Sequence, residues 1–322
     1  MQDVAKILVF GNICLLVFGF DPYTLPHFGS DSKSLSSSED HALLLGGAFD
    51  EIEEAVIYRH VVPMCVWKFQ KMLQIGVEKK VARYCKILDE FLYASIEMKK
   101  QELSTLGNNI INSTTEKRDL LTHLLVEEEK YSNKFLRDVS ISLIVASRNT
   151  VSSALTWLLW LVATHPDVKK RILEEIKQVM TTKTSSSGGF LSEDELNKLI
   201  LLHATICETL RLYPPFPIEH KCVVEAYVLP TGHCVRKGTK ILVSIYSMGR
   251  MEEIWGEDCM EFKPERWISE KRNIIYVPSY KFMTFISRPR TCLGKTMAFM
   301  QPKSMTSAIL WNYKLDMGKI VS

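Results

Sequence analysis

Paired cysteines, long apolar runs and a strong charge of one sign are all lacking in this chain, and each absence removes a class of function. The eight cysteines sit far apart, with no C-x-x-C pair and no histidine at matching spacing. That argues against a disulfide framework and a zinc site, and points to a reducing compartment. Net charge is only +3, with no basic run interleaved with aromatics, so a nucleic-acid partner is not indicated. The apolar stretch Ile7 to Phe20 is interrupted by Asn12, and is shorter than the roughly 20 residues of a membrane span. It ends in Phe18-Gly19-Phe20-Asp21-Pro22, without the small-residue pattern of a signal-peptide cleavage site. It therefore reads as a buried helix closed by a Gly/Pro stop. Glycine is sparse, 15 residues of 322, and 46% of the chain is hydrophobic, which fits a helix-rich globular protein with a substantial core.

Helical spacing of apolar and charged positions runs from about His41 to Gly76, and His60 within it reads as a helix-surface histidine. Glu78 to Gln101 predicts one long amphipathic helix with a solvated lysine-rich face. Arg118 to Glu129 predicts a short helix, Asn133 to Thr164 a long one ended by His165-Pro166, and Asp167 to Met180 the next. Gly29 to Asp40, Asn108 to Glu116 and Thr181 to Gly189 read as polar loops or linkers. Ser192 with Glu195 makes a capping box. Short strands are expected over Val223 to Val235, around the turn Leu229-Pro230-Thr231-Gly232, and over Gly238 to Tyr246. Leu293 to Asn312 predicts a last helix with Pro302 inside, at a cost of ~3 kcal/mol or more and with a kink.

Three stretches carry candidate chemistry. In Phe285-Ile286-Ser287-Arg288-Pro289-Arg290-Thr291-Cys292-Leu293-Gly294 a lone cysteine precedes a helix start, where N–H groups and the helix dipole favour a thiolate. Arg290 adds a positive charge and a fork of donors. Taken alone, Cys292 also reads as a buried cysteine near a helix start. Glu208 and Arg211 stand at i and i+3 and share a helix face; on their own they read equally as a surface ion pair worth under ~1 kcal/mol. Phe262-Lys263-Pro264-Glu265-Arg266-Trp267 offers a second arginine. In the long helix, Ala146-Ser147-Arg148-Asn149-Thr150 is a small-residue patch with a hydroxyl, of the kind that marks close packing.

Together these stretches resemble the cytochrome P-450 family. The cysteine loop is similar to Phe-x-x-Gly-x-Arg-x-Cys-x-Gly, matched at Phe285, Arg290, Cys292 and Gly294 and departing at Arg288, which stands where the family has glycine. Ala146 to Thr150 resembles the oxygen-binding groove Ala-Gly-x-Asp-Thr, with Thr150 matching, Ser147 in place of glycine and Asn149 in place of the acid. Glu208, Arg211 and Arg266 resemble the structural Glu-Arg-Arg triad. The wording Tyr58-Arg59-His60-Val61, Val66-Trp67-Lys68 and Met248-Gly249-Arg250-Met251 is similar to the plant fatty-acid and midchain alkane hydroxylases.

The resemblance implies a mainly α fold with a small β portion. It implies one incomplete domain over residues 1–322, without the N-terminal anchor, the first helices and strands, or the C-terminal hairpin. It implies haem as cofactor with Cys292 as the iron ligand, Arg290 and His220 on the propionates, and Phe285 packing near the sulfur beside Gly294. Thr150, with Asn149 in place of the acid, would serve proton delivery; an amide can hydrogen-bond water but lacks the ionisable group of a carboxylate. Electrons would come from an NADPH-dependent reductase at the cytosolic face of the endoplasmic reticulum, and the substrate would be a long-chain alkane or fatty acid. A non-catalytic remnant of the fold with weak or no haem binding is the alternative. Cys292 acting as a nucleophile with His220 is a third reading.

Overall fold

The computed structural model describes residues 1–23, 38–106, 119–127, 131–181, 191–287 and 289–315. The loops expected over Gly29 to Asp40, Asn108 to Glu116 and Thr181 to Gly189 fall largely or wholly outside the described residues, as does Arg288. The chain divides into two compact units, Asp3–Asn149 and Thr150–Ser322, the second also taking in Met1–Gln2.

In the first unit, α1 (Gln2–Phe18) buries Val9, Phe10, Ile13, Cys14, Val17 and Phe18, the i, i+3, i+4 stripe of an amphipathic helix. Gly19 ends it at φ +77°, where a Cβ would lie 2.7 Å from the Asp119 carboxylate. Only glycine fits both that backbone and that space. Then follow α2 (Ser38–Val61), α3 (Met64–Leu73), α4 (Gly76–Leu106), α5 (Leu120–Glu127) and the start of α6 (Asn133–Thr164). The helical spacing expected over His41 to Gly76 is realised as two helices, because Pro63 has no N–H to continue α2 and instead occupies the N-cap of α3. α4 packs Leu88, Phe91, Leu92 and Ile96 against α1 and against Leu45 and Phe49 of α2. Its lysine-rich face is not wholly solvated as expected. Lys99 is buried between Glu102 at 2.8 Å and Asp119 at 3.1 Å.

The second unit gathers the later part of α6, α7 (Pro166–Thr181), α8 (Glu193–Asn197), α9 (Ile200–Leu212) and α12 (Lys295–Asn312) around one apolar core. α9 is buried on every side: eleven of its thirteen residues are inaccessible, so it runs through the middle of this unit. Its N-terminus is capped from α7, where Glu175 accepts the N–H groups of Leu201 at 2.8 Å and Leu202 at 3.1 Å. The Ser192–Glu195 capping box forms as the sequence predicts.

Four short strands pair antiparallel in two sheets among the described residues. β1 (Ile218–Cys222) pairs with β4 (Lys240–Ser244), and β2 (Tyr227–Val228) with β3 (Cys234–Val235) through the turn that Gly232 closes at φ +83°. Two helical turns, α10 (Ile245–Met248) and α11 (Glu252–Trp255), and a 3-10 turn at Pro264–Trp267 lead toward the cysteine loop. Pro302 lies within α12, which begins at Lys295 rather than Leu293. The architecture is mainly α with a small β portion. No described helix is long and apolar enough to cross a membrane.

Candidate active site

Glu208 and Arg211 project from the same face of α9 into the protein, and neither side chain is exposed at all. The surface-pair reading is thus excluded. The Arg211 guanidinium donates through Nε to Glu208 Oε2 and through one Nη to Glu208 Oε1, both at 2.8 Å. Its remaining protons go to the carbonyls of Gly249, Cys259 at 2.6 Å and Glu261 at 2.9 Å. Five donors therefore meet five acceptors. Gly249 is required here for space: a Cβ on it would run into the Arg211 carbonyl oxygen.

Glu208 accepts more than the arginine pair. The Lys263 backbone N–H reaches Oε1 and the Trp267 indole N–H reaches Oε2, each at 2.9 Å. Arg266 approaches Oε1 at 3.5 Å, a marginal hydrogen bond. Its stronger bonds go to the Trp255 carbonyl at 2.9 Å and to the Asp258 carbonyl and carboxylate at 3.0 Å. Hydrogen bonds from Lys263 and Arg266 hold the Asp258 carboxyl down at about 2. Sequence reasoning brought Glu208, Arg211 and Arg266 together but missed Trp267 and the Lys263 N–H. The only available signal was that both lie in the same Phe262–Trp267 segment as Arg266.

Trp267 also carries the network toward the cysteine. Its ring lies 4.7 Å from Phe282, Phe282 lies 6.4 Å from Phe285, and Phe285 lies 5.2 Å from Phe299 of α12. Phe285 is buried, and its carbonyl accepts the Cys292 N–H at 2.9 Å. Arg290 N–H donates to Ser287 O at 3.1 Å, and Gly294 caps α12. The loop is thus anchored by an aromatic ring at one end and a helix at the other, while the Cys292 thiol is free and exposed. The buried-cysteine reading does not hold. An exposed thiol beside Arg290 and the α12 N-terminus offers one sulfur ligand in a cationic setting, a donor chemistry that fits a thiolate-ligated haem iron. No group of three or more His, Cys, Asp or Glu side chains suited to a metal ion occurs among the described residues.

The other candidates lie elsewhere. His220 is exposed on β1, in register with Leu242 of β4. Thr150 and Asn149 are half-buried on α6. The Asn149 amide donates to Glu53 of α2, an acceptor to which nothing in the sequence pointed. Burial raises the Glu53 carboxyl above its ordinary range, against the pull of that hydrogen bond. Ser147 turns back on its own helix and donates to Leu143 O at 2.8 Å.

Comparison with known proteins places this geometry. The sequence profile described as Cytochrome P450 matches residues 28–321. The chain is 39% identical to Cytochrome P450 86B1 of Arabidopsis thaliana over 98% of its own length and 55% of that protein's. It is 38% identical to Alkane hydroxylase MAH1 of Arabidopsis thaliana over 97% of its length and 59% of the relative's. It is 36% identical to a Noroxomaritidine synthase of Narcissus over 99% and 60%. The chain spans between 55 and 60% of the length of these three curated relatives. A profile match over most of the sequence, with the Glu208 network and the cysteine loop in their expected order, makes this chain a member of the cytochrome P450 family.

Proposed function

We propose that this chain is part of a haem-thiolate monooxygenase that hydroxylates long-chain alkanes or fatty acids, with residues 1–322 forming part of one catalytic domain. The observation that carries the reading is the exposed Cys292 thiol, held on a loop tied to the buried Glu208 network. Haem, when bound through a thiolate, supplies the electron push that favours O–O cleavage. Cys292 Sγ would be its protein ligand, Phe285 would pack beside the sulfur, and Gly294 would let α12 begin directly behind it. Arg290 and His220 would hold the propionates by charge and hydrogen bonding.

Thr150 Oγ would hold and pass protons from water. With Asn149 in the place of an acid and its amide engaged by Glu53, that water chain would lack an ionisable side chain at this position. The alkane and fatty-acid class rests on the likeness to a relative named an alkane hydroxylase. An NADPH-dependent reductase would supply electrons at the endoplasmic reticulum membrane.

The test is a carbon-monoxide difference spectrum of the reduced chain produced with a haem precursor, beside Cys292→Ser. The red-shifted Soret band of a thiolate ligand, lost in the variant, is the expected result. A haem-free chain, or the shorter-wavelength band of a non-thiolate ligand, overturns the proposal and leaves the non-catalytic alternative. Retention of a red-shifted band by Cys292→Ser would assign the iron to another sulfur.

A further inference from the structure

Behind the cysteine loop, α12, α9 and the segment 274–282 enclose a groove of about 320 Å³ that the proposed chemistry does not use. Helical spacing builds it. Lys295, Phe299 and Lys303 recur at i, i+4 and i+8 on one face of α12, and His203 and Cys207 at i and i+4 on α9. The His203 ring stacks on Phe299 at 4.4 Å, 8° from parallel, which fixes the two helix faces against each other. Trp267, Phe282 and Val277 complete the apolar wall, and among the described residues no carboxylate lines the groove.

Lys303 is only 2% exposed, yet no ion pair joins it to a carboxylate among the described residues. Its ammonium has three protons and donates to the Leu196 carbonyl at 3.0 Å. Glu175, the carboxylate acting on it from farther off, is already occupied by the N–H groups at the start of α9. A buried cation without a contact counter-ion is costly unless a partner neutralises it. Burial lowers the pKa of Lys303, and burial followed by the two lysines lowers that of His203 to about 4, so the imidazole stays neutral near pH 7 and can donate one N–H. Lys295, exposed at the rim, adds a second cation at the mouth.

We propose that this groove is a binding site for a small organic carboxylate with an aromatic or short aliphatic body. The carboxylate would pair with Lys303, with Lys295 adding attraction from the mouth, and the body would lie against Phe299 and Trp267. This combination of an apolar wall with a few convergent polar groups is what small-molecule sites share. None of the residues proposed to hold haem lines this groove, although Phe299 touches Phe285 of the cysteine loop.

The experiment is isothermal titration calorimetry of the full chain with benzoate and, in parallel, with benzyl alcohol of similar shape and no charge. Benzoate is expected to bind and benzyl alcohol to bind at least tenfold more weakly. Lys295→Glu, an exposed substitution that leaves the core intact, is expected to weaken benzoate about tenfold, or 1.4 kcal/mol. Lys303→Met, provided circular dichroism shows it folded, is expected to abolish benzoate binding. Equal binding of the two probes, no binding of benzoate at millimolar concentration, or an unchanged affinity in Lys295→Glu would each overturn the proposal.

Discussion

Among the described residues two arginines are buried, Arg211 at 2% exposure and Arg148 at 3%, and they are served very differently. Every N–H of Arg211 has an acceptor, and the carboxylate facing it is as buried as the arginine. Arg148 donates to Asp50 at 2.6 Å and to Asn149 at 3.0 Å, but its Nε has no partner among the described residues. Asp50 is 40% exposed and also held by Lys6 at 3.0 Å. The difference is one of closure. Around Arg211, four chain segments converge to exclude water and satisfy each atom. Around Arg148, a half-solvated carboxylate shares the load, so the pair is less stabilising and less costly to break.

Glu208→Ala should have the largest effect, because it leaves the Arg211 charge uncompensated in the core. A loss of about 3–5 kcal/mol is expected, read as a lower urea midpoint or as a chain that no longer unfolds cooperatively. Gly249→Ala comes next. Its Cβ would meet the Arg211 carbonyl oxygen, so a segment must shift, at a cost of about 1–3 kcal/mol in the same assay. Trp267→Phe removes the indole donor to Glu208 while keeping a ring against Phe282. About 2 kcal/mol is expected, as for a hydrogen bond to a charged group.

Arg148→Met, by contrast, should change stability by less than about 1 kcal/mol, since Asp50 keeps water and Lys6, and the unpartnered Nε disappears. A loss as large as that of Glu208→Ala would erase the contrast between the two sites.

The smallest effect concerns pH. Asp258 has its carboxyl lowered to about 2 by Lys263 and Arg266, so its stabilisation is complete above the ordinary carboxylate range near 4. That contribution is lost as pH falls from about 4 through about 2. Asp258→Asn should remove that contribution at neutral pH, flatten the acid limb of the stability curve in that window, and match the unsubstituted chain below about 2. An acid limb unchanged by the substitution would remove Asp258 from the network around Arg266.

Much of this was legible locally. The bounds of α6, the Ser192–Glu195 capping box, the stop at Gly19 and the shared face of Glu208 and Arg211 follow from helical spacing and from residues that end helices. Those signals act over a few residues, so the sequence carries them whole. The break at Pro63 is equally local, since a residue without an N–H cannot continue α2.

What the sequence by itself determined is the set of helices, the family and the cysteine loop with its cationic neighbour. Tertiary structure alone decided which of these groups are enclosed. Glu208 takes the Lys263 and Trp267 N–H groups from 55 and 59 residues away, Asn149 finds Glu53 from 96 residues away, and Lys303 is buried against Leu196 from 107. Spacing along a helix says which side chains share a face. Whether that face meets water, a carbonyl or a carboxylate depends on segments far along the chain, and on that depends what a buried charge costs.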